Sequence, residues 1–369
     1  MKILYDHQVY SLLKYGGITR YFCELMKNLP AEYQFTLSLI FSDNYYLHDN
    51  KNIFKIIDLL PNKLFKGKHF IRERLYFLNQ IYSKHNILLG NFDLFHPTFY
   101  DNYFLKLLKK PYIITVHDLN EFIFKDTYYY KHTSLMPQME KVIRKANRII
   151  SISENTKLDI IKYFSIDPEK IDVIYHGFNR RVNTTIGKNK VVDAFGKYIL
   201  FVGQRIQYKN FNFFAEAISK LLKRESELKL ICVGTPFTKE ENEFLLKLGI
   251  LNQTYALNVD DGTLNELYTN ALVFVYPSLY EGFGMPILEA YANNCPVCLS
   301  NSSCFPEIAQ NAGVFFDPKN QDSILSAIEK VVYNNDYAKT IIKAGRNRLE
   351  SFSWEKATKE TISSYNKAI

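Results

Sequence analysis

The run Pro277-Ser278-Leu279-Tyr280-Glu281-Gly282-Phe283-Gly284-Met285-Pro286-Ile287-Leu288-Glu289-Ala290 places two carboxylates, Glu281 and Glu289, around a glycine-rich turn. The apolar residues that end at Tyr276 predict a strand before the turn, and Pro286 suits the first turn of a helix after it. Strand, turn and helix start together aim free backbone N–H groups and the positive helix end at one point, which is the physics of phosphate binding. Gly282, Phe283, Gly284, Met285 and Pro286 form that turn. Glu289 is expected in the first helical turn, where an acceptor-only carboxylate suits two vicinal hydroxyls such as those of a ribose. Glu281 lies earlier on the loop, so the two acids would address different parts of one ligand. Without a ligand, the same run reads as an ordinary turn with a dipole-favoured acid.

A second run, Phe201-Val202-Gly203-Gln204-Arg205-Ile206-Gln207-Tyr208-Lys209-Asn210, follows another predicted strand. Gly203 lets the backbone turn without a Cβ. Arg205 and Lys209 would then clamp a diphosphate, Arg by its fork and Lys as a point charge. A third group lies nearer the start: Tyr15-Gly16-Gly17-Ile18-Thr19-Arg20 is expected between the first strand and the first helix, and His117 follows a strand in Val116-His117-Asp118. Gly16 and Gly17 permit close approach of backbone to a ligand, and His117 suits donation to a sugar hydroxyl or a developing oxyanion. Cys295, Cys298 and Cys304 read as buried thiols rather than metal ligands, because no matching Cys or His pair follows. Asp260-Asp261 is the nearest thing to an Asp-x-Asp metal motif.

The elements that must position these residues alternate in βα fashion. Strands are expected at Lys2–His7, Phe35–Phe41, Phe92–His96, Tyr112–His117, Arg148–Ile152 and Lys170–Tyr175, with helices at Gly17–Leu29 and Thr156–Phe164. A polar, aperiodic stretch over 179–196 reads as a linker. A second series follows, with strands at Tyr198–Val202, Leu228–Val233, Leu272–Tyr276 and Pro296–Leu299. Its helices fall at Phe211–Arg224, Lys239–Leu248, Pro286–Ala292 and Ser323–Tyr333. The predicted fold class is therefore α/β, two Rossmann-like doubly wound parallel-sheet domains, 1–178 and 197–353, facing a cleft with ligands at the strand carboxyl ends. Trp354–Ala368 reads as a final helix capped by Ser353.

Composition agrees and excludes much. The chain has 369 residues, 47% hydrophobic and 23% charged, which is globular rather than disordered or fibrous. No apolar run approaches a membrane span, and the start turns polar too soon for a secretory h-region, so a cytoplasmic location is expected. Five unevenly spaced cysteines do not form a disulfide framework. Of the formal net charge of +8, residues 1–178 hold 24 Lys+Arg and 18 Asp+Glu, and residues 179–369 hold 22 and 20. Lys51–Arg74 is densest, with seven cations and two anions interleaved with apolar residues. With no concentrated basic helix or aromatic RNA motif, nucleic acid is not an expected partner.

Tyr15-Gly16-Gly17, His117, Ser151-Ile152-Ser153-Glu154, His176-Gly177, Gly203-x-Arg205-x-x-x-Lys209-Asn210, Glu281-x7-Glu289 and Pro306-Glu307 occur in the order of the retaining glycosyltransferase family 4, group 1 type. The chain resembles that family from Gly16 to the Phe352-Ser353-Trp354 segment. The resemblance implies the GT-B fold, with helix 354–369 crossing back to complete an acceptor-binding front domain. It also implies a nucleoside diphosphate sugar bound mainly by the rear domain. Arg205 and Lys209 would hold the diphosphate, Glu289 the ribose, and Glu281 with the backbone of Phe283 and Gly284 the sugar. His117 would touch the transferred sugar, and Gly17 would let backbone approach the phosphate. No metal and no cofactor are implied, since Arg205, Lys209 and the helix end at Pro286 stabilise the leaving group. Asn210 departs from the Gly that many members carry after the Lys.

The expected activity is transfer of a hexose, mannose being preferred, to a hydroxyl of a surface glycan such as an O-antigen, a capsule or another lipid-linked saccharide. A sugar-nucleotide epimerase or phosphorylase-like enzyme on the same fold is the alternative, and a catalytically dead nucleotide- or carbohydrate-binding protein the next. Lys51–Arg74 is a candidate for peripheral contact with an anionic membrane at its inner face.

Overall fold

A computed structural model describes residues 1–58, 68–126, 135–179, 192 and 194–369. The chain divides into a front unit, Met1–Gly177 with Ser353–Ile369, and a rear unit, Phe178–Phe352. Most of the expected linker 179–196 lies outside the described residues. So do 59–67 of the basic segment Lys51–Arg74, whose last residues instead open a 22-residue helix, Lys68–Leu89.

In the front unit, β1 (Lys2–Tyr5), β2 (Gln34–Leu37) and β3 (Leu94–His96) form a parallel sheet in the order β2-β1-β3. A second parallel sheet, β4 (Ile113–Val116), β5 (Arg148–Ser151) and β6 (Ile171–Val173), continues it through the bridge between Phe95 and Tyr112. Alternation along these short strands feeds two cores: Ile3 and Tyr5 join one, Leu4 the other. Trp354, Ala357 and Tyr365 of the helix Trp354–Ala368 complete the first core. Ser353 caps that helix by accepting from the Lys356 N–H at 3.1 Å. Its docking explains Gly177, where a Cβ would lie 2.5 Å from the Trp354 backbone. One expectation needs correcting: Gly16–Gly17 does not follow the first strand directly, because a short helix, Gln8–Leu12, intervenes before the helix Gly17–Lys27.

The rear unit holds one six-stranded parallel sheet. Its strands are β7 (Tyr198–Val202), β8 (Lys229–Val233), β9 (Thr254–Leu257), β10 (Val273–Tyr276), β11 (Val297–Ser300) and β12 (Val314–Phe316), in the order β12-β11-β10-β7-β8-β9. The chain winds outward in both directions from the central pair β7 and β10, so their carboxyl ends flank the topological switch point, where open α/β sheets bind ligands.

Candidate functional site

The two loops singled out by sequence leave those same strand ends, after β7 and after β10, and are tied together by the Leu279 N–H donating to the Tyr208 carbonyl at 2.8 Å. Lys209 closes a single 3-10 turn, Gln207–Lys209, and its ammonium donates to Oε1 of Glu281 at 2.6 Å. The ring of Tyr276 at the end of β10 lies beneath it, 5.4 Å from Nζ to centroid. Burial, with Glu281 beside it, raises the Tyr276 phenol well above its usual range, so it stays protonated. The Glu281 N–H donates to Ser303 Oγ at 3.0 Å, which fixes the loop. Asn210, next to Lys209, has φ +60° and donates from Nδ2 to the Pro318 carbonyl at 2.8 Å. A left-handed position explains both the Gly expected there and the Asn that replaces it.

Arg205 lies on the same loop but turns to the β8 side. Its side chain is 2% exposed, with Nε 2.8 Å from Oε1 and Nη2 3.1 Å from Oε2 of Glu241. Nη2 also donates to the carbonyls of Thr235 at 2.8 Å and Pro236 at 3.0 Å, and Phe237 covers the guanidinium at 4.6 Å. Nη1 is buried with no partner, which leaves one fork tine for an anion. Sequence reasoning missed Glu241, although Thr238-x-x-Glu241 is a capping box that starts the helix Lys239–Lys247. It also missed Gly234, where a Cβ would lie 2.7 Å from the carbonyl oxygen of Gly203. The two loops can approach only because that residue is glycine.

The glycine turn caps the helix Met285–Ala292: Gly284 is the N-cap with φ +93°, and Pro286 is the second helical residue. Glu289 therefore falls one residue later than expected, at the fifth helical position and just past the first turn, because the helix begins at Met285 rather than at Pro286. Its Oε2 accepts from the Tyr268 hydroxyl at 3.3 Å, and burial, with Glu289 beside it, raises the Tyr268 phenol well above its usual range. Phe283 is buried edge-on against Phe352 at 5.8 Å, so its backbone, with that of Gly282, Gly284 and Met285, is what the turn offers a ligand.

In the front unit, the carboxyl end of β4 carries His117. The ring of His117 stacks on His176 at 5.8 Å, and the edge of Tyr21 meets both rings. The His117 N–H donates to Tyr100 Oη at 3.2 Å, while the ring Nε2 is buried without a partner. Burial, with His176 and His96 nearby, lowers the His117 pKa well below the usual imidazole range, so the ring is neutral and has one N–H to donate. Tyr21 belongs to the helix Gly17–Lys27, whose N-cap is Gly16. A Cβ on Gly17 would meet nothing within 4 Å, so the space there is open to a ligand. Asp260 is accounted for structurally, as the N-cap that accepts from the Thr263 N–H at 2.8 Å. Among the described residues no three His, Cys, Asp or Glu side chains gather around a point that could hold a metal.

The Glycosyltransferase Family 4 model matches residues 15–181, and the Glycosyl transferases group 1 model matches residues 184–348. The O-antigen chain mannosyltransferase RfbU of Salmonella typhimurium is 30% identical over 220 residues, which span 59% of this chain and 60% of that protein. The O-antigen chain mannosyltransferase B of Escherichia coli is 28% identical over 285 residues, 72% of each. Among solved structures, Anabaena Alr3699/HepE in complex with UDP and glucose superposes with a TM-score of 0.75 at 17% identity, over 99% of both chains. With family models covering both units and the parallel-sheet pair described above, the chain belongs to the group 1, family 4 type of glycosyltransferase and has the GT-B fold.

Proposed function

We propose that the chain is a retaining hexosyltransferase that takes mannose from a nucleoside diphosphate sugar and places it on a hydroxyl of a lipid-linked surface saccharide at the cytoplasmic face of a membrane. The observation that carries this reading is the Lys209–Glu281 contact at the carboxyl ends of β7 and β10. There a cation and a carboxylate stand beside a glycine-capped helix start, the combination a sugar diphosphate requires. The two O-antigen mannosyltransferase relatives support mannose and a glycan acceptor, and the UDP-bound neighbour supports a nucleotide donor.

In this reading the incoming diphosphate takes over the Lys209 ammonium and the free Nη1 of Arg205. Glu281, released from Lys209, accepts from sugar hydroxyls, and Glu289 accepts from the ribose. The anomeric carbon–phosphate oxygen bond breaks while the acceptor oxygen bonds to the same face of that carbon. The acceptor proton passes to the leaving phosphate, whose charge Lys209, Arg205 and the Met285–Ala292 helix start hold. No resident metal or cofactor is assigned a step. His117 donates its single N–H to the transferred sugar.

The test is a panel of UDP-, GDP- and dTDP-sugars in thermal-shift assays, followed by labelled transfer to a lipid-linked acceptor. A donor held at 100 times its Kd raises stability by about 2.7 kcal/mol. Product from the donor alone, or a requirement for inorganic phosphate, would replace this reading with epimerisation or phosphorolysis.

A further inference from the structure

The helix Lys68–Leu89 is built inside out. Its inward face is largely polar, with Ile87 as a side chain it sends into a hydrophobic core. Asn79 donates from Nδ2 to the Phe41 carbonyl at 2.8 Å and accepts at Oδ1 from the Ile40 and Phe41 N–H groups. Ser83 Oγ donates to the Ser38 carbonyl at 2.9 Å, Asn86 reaches Ser38 Oγ at 3.0 Å, and Arg72 pairs with Asp43 at 2.7 Å. The outward face is apolar: Phe70 is 55% exposed, Phe77 58%, Ile81 48% and Leu88 65%. Steps of seven, four and seven residues keep these four within about 40° of one line along a helix of 3.6 residues per turn. Leu78 and Leu89 are also exposed and widen the stripe. A surface helix normally points such a stripe at its own core; here hydrogen bonds and the buried Ile87 hold the helix, and the stripe is left for something else.

A second copy of the chain fits poorly. Arg74 and Lys84 border the stripe on its two sides, equally far along the chain from Asn79. Antiparallel pairing about Asn79 sets Arg74 against Lys84 of the other copy, and parallel pairing sets each against itself, so both arrangements oppose like charges. The same two cations suit an anionic surface. The Arg74 guanidinium already lies over the Phe70 ring at 4.1 Å, with the charge beside the ring it would accompany into an interface. The chain of hydrogen bonds from Asn79 through Ile40 to Ile57 adds a neighbouring segment with exposed Lys51, Ile53, Lys55 and Ile57.

We infer that the outward face of Lys68–Leu89, from Phe70 to Leu89, docks on an anionic phospholipid bilayer, with Phe77 and Ile81 at the centre of the inserted stripe and Arg74 and Lys84 against the headgroups. Among the described residues no helix is long and apolar enough to cross a membrane, so this is attachment to a surface. The inference stands apart from glycosyl transfer, and vesicle binding is measured with neither donor nor acceptor present.

The experiment is co-sedimentation of the full chain with phosphatidylcholine vesicles made with and without phosphatidylglycerol. Binding is expected only to the mixed vesicles, weakening severalfold as salt is raised. The double substitution Phe77→Ser, Ile81→Ser should lower it by about tenfold or more, with an unchanged melting temperature and unchanged transfer to a water-soluble acceptor. A second measurement covers variants that fold poorly. All five native cysteines are buried, so an environment-sensitive dye on Ile81→Cys reports the stripe selectively, and its emission should shift to the blue on mixed vesicles. Equal sedimentation with neutral and anionic vesicles, no wild-type binding, an unshifted dye, or a wild-type dimer that Phe77→Ser, Ile81→Ser splits would each overturn the proposal.

Discussion

The Lys209 ammonium and the Glu281 carboxylate, from loops that leave two adjacent strands, meet at 2.6 Å with both side chains largely buried. Each holds the other in place, and together they bring no net charge to the site until a ligand separates them.

Removing either partner should therefore cost more activity than stability. Lys209→Ala and Glu281→Ala are each expected to lower kcat/KM by about a hundredfold to a thousandfold, with a loss of unfolding free energy of about 1–3 kcal/mol for the stranded partner. Initial rates with labelled donor and urea melts measure the two effects. Unchanged turnover in both variants would remove the pair from the site.

Arg205 and Glu241 should weigh more heavily on stability than that pair does. Glu241→Ala strands a guanidinium that is almost wholly buried, so a loss of about 3 kcal/mol is expected, and Arg205→Lys should not preserve the wild-type stability because Lys cannot reproduce the bidentate fork. Denaturant unfolding of the single and double variants gives the coupling; an additive cycle would mean the pair is not energetically joined.

Gly177→Ala tests the docking of the last helix. A methyl at 2.5 Å from the Trp354 backbone should destabilise by about 1–3 kcal/mol and speed proteolysis within 354–369. A variant as stable and protease-resistant as the parent would show that the helix can shift at no cost.

Acid should loosen the front unit. Burial holds His96 and His176 at about 3, with Arg20 adding to the shift of His176. Burial also holds His7 at about 3, with Lys84 adding to the shift and Asp101 opposing it. His117 is likewise lowered, by burial and by His176 and His96. All four are neutral when folded and take up a proton when unfolded near pH 6.5. Stability is then intact above pH 6.5 and falls as the pH drops toward 3, by about 1.4 kcal/mol per pH unit for each ring. Asp6 opposes this: burial raises its carboxyl, so between the ordinary carboxylate range and its own raised value it adds stability as pH falls, offsetting one ring of the four. Melts between pH 7.5 and 5 read the net slope, and a flat profile would contradict it.

Local signals carried the sequence reading well. Strand β7, the helices Phe211–Arg224 and Trp354–Ala368, and the Ser353 cap fall where periodicity and capping chemistry put them. What escaped was long-range. Glu241 meets Arg205 only because β7 and β8 are neighbours, and Gly234 matters only because the Gly203 carbonyl approaches it. The Lys68–Leu89 helix was hidden for another reason. A pattern search assumes that the apolar face points inward, and its first turn reads as one more piece of a basic segment. Glu289 was displaced by one residue, out of the first turn, because proline is as comfortable at the second helical position as at the first.

The last helix also bears on the order in which the chain can mature. The Tyr365 hydroxyl shares hydrogen bonds with Tyr5 Oη at 2.7 Å and His96 Nδ1 at 2.8 Å, and Ser364 and Lys367 reach Asp172 at 2.7 and 2.8 Å. The rear unit is one uninterrupted stretch of chain, whereas the front unit lacks a wall until Trp354–Ala368 has been synthesised. A growing chain thus emerges with its first domain unfinished and finishes its second domain first, reversing the usual order of N-terminal folding during synthesis. During that interval the apolar surface awaiting Trp354, Ala357 and Tyr365 is what a chaperone would meet.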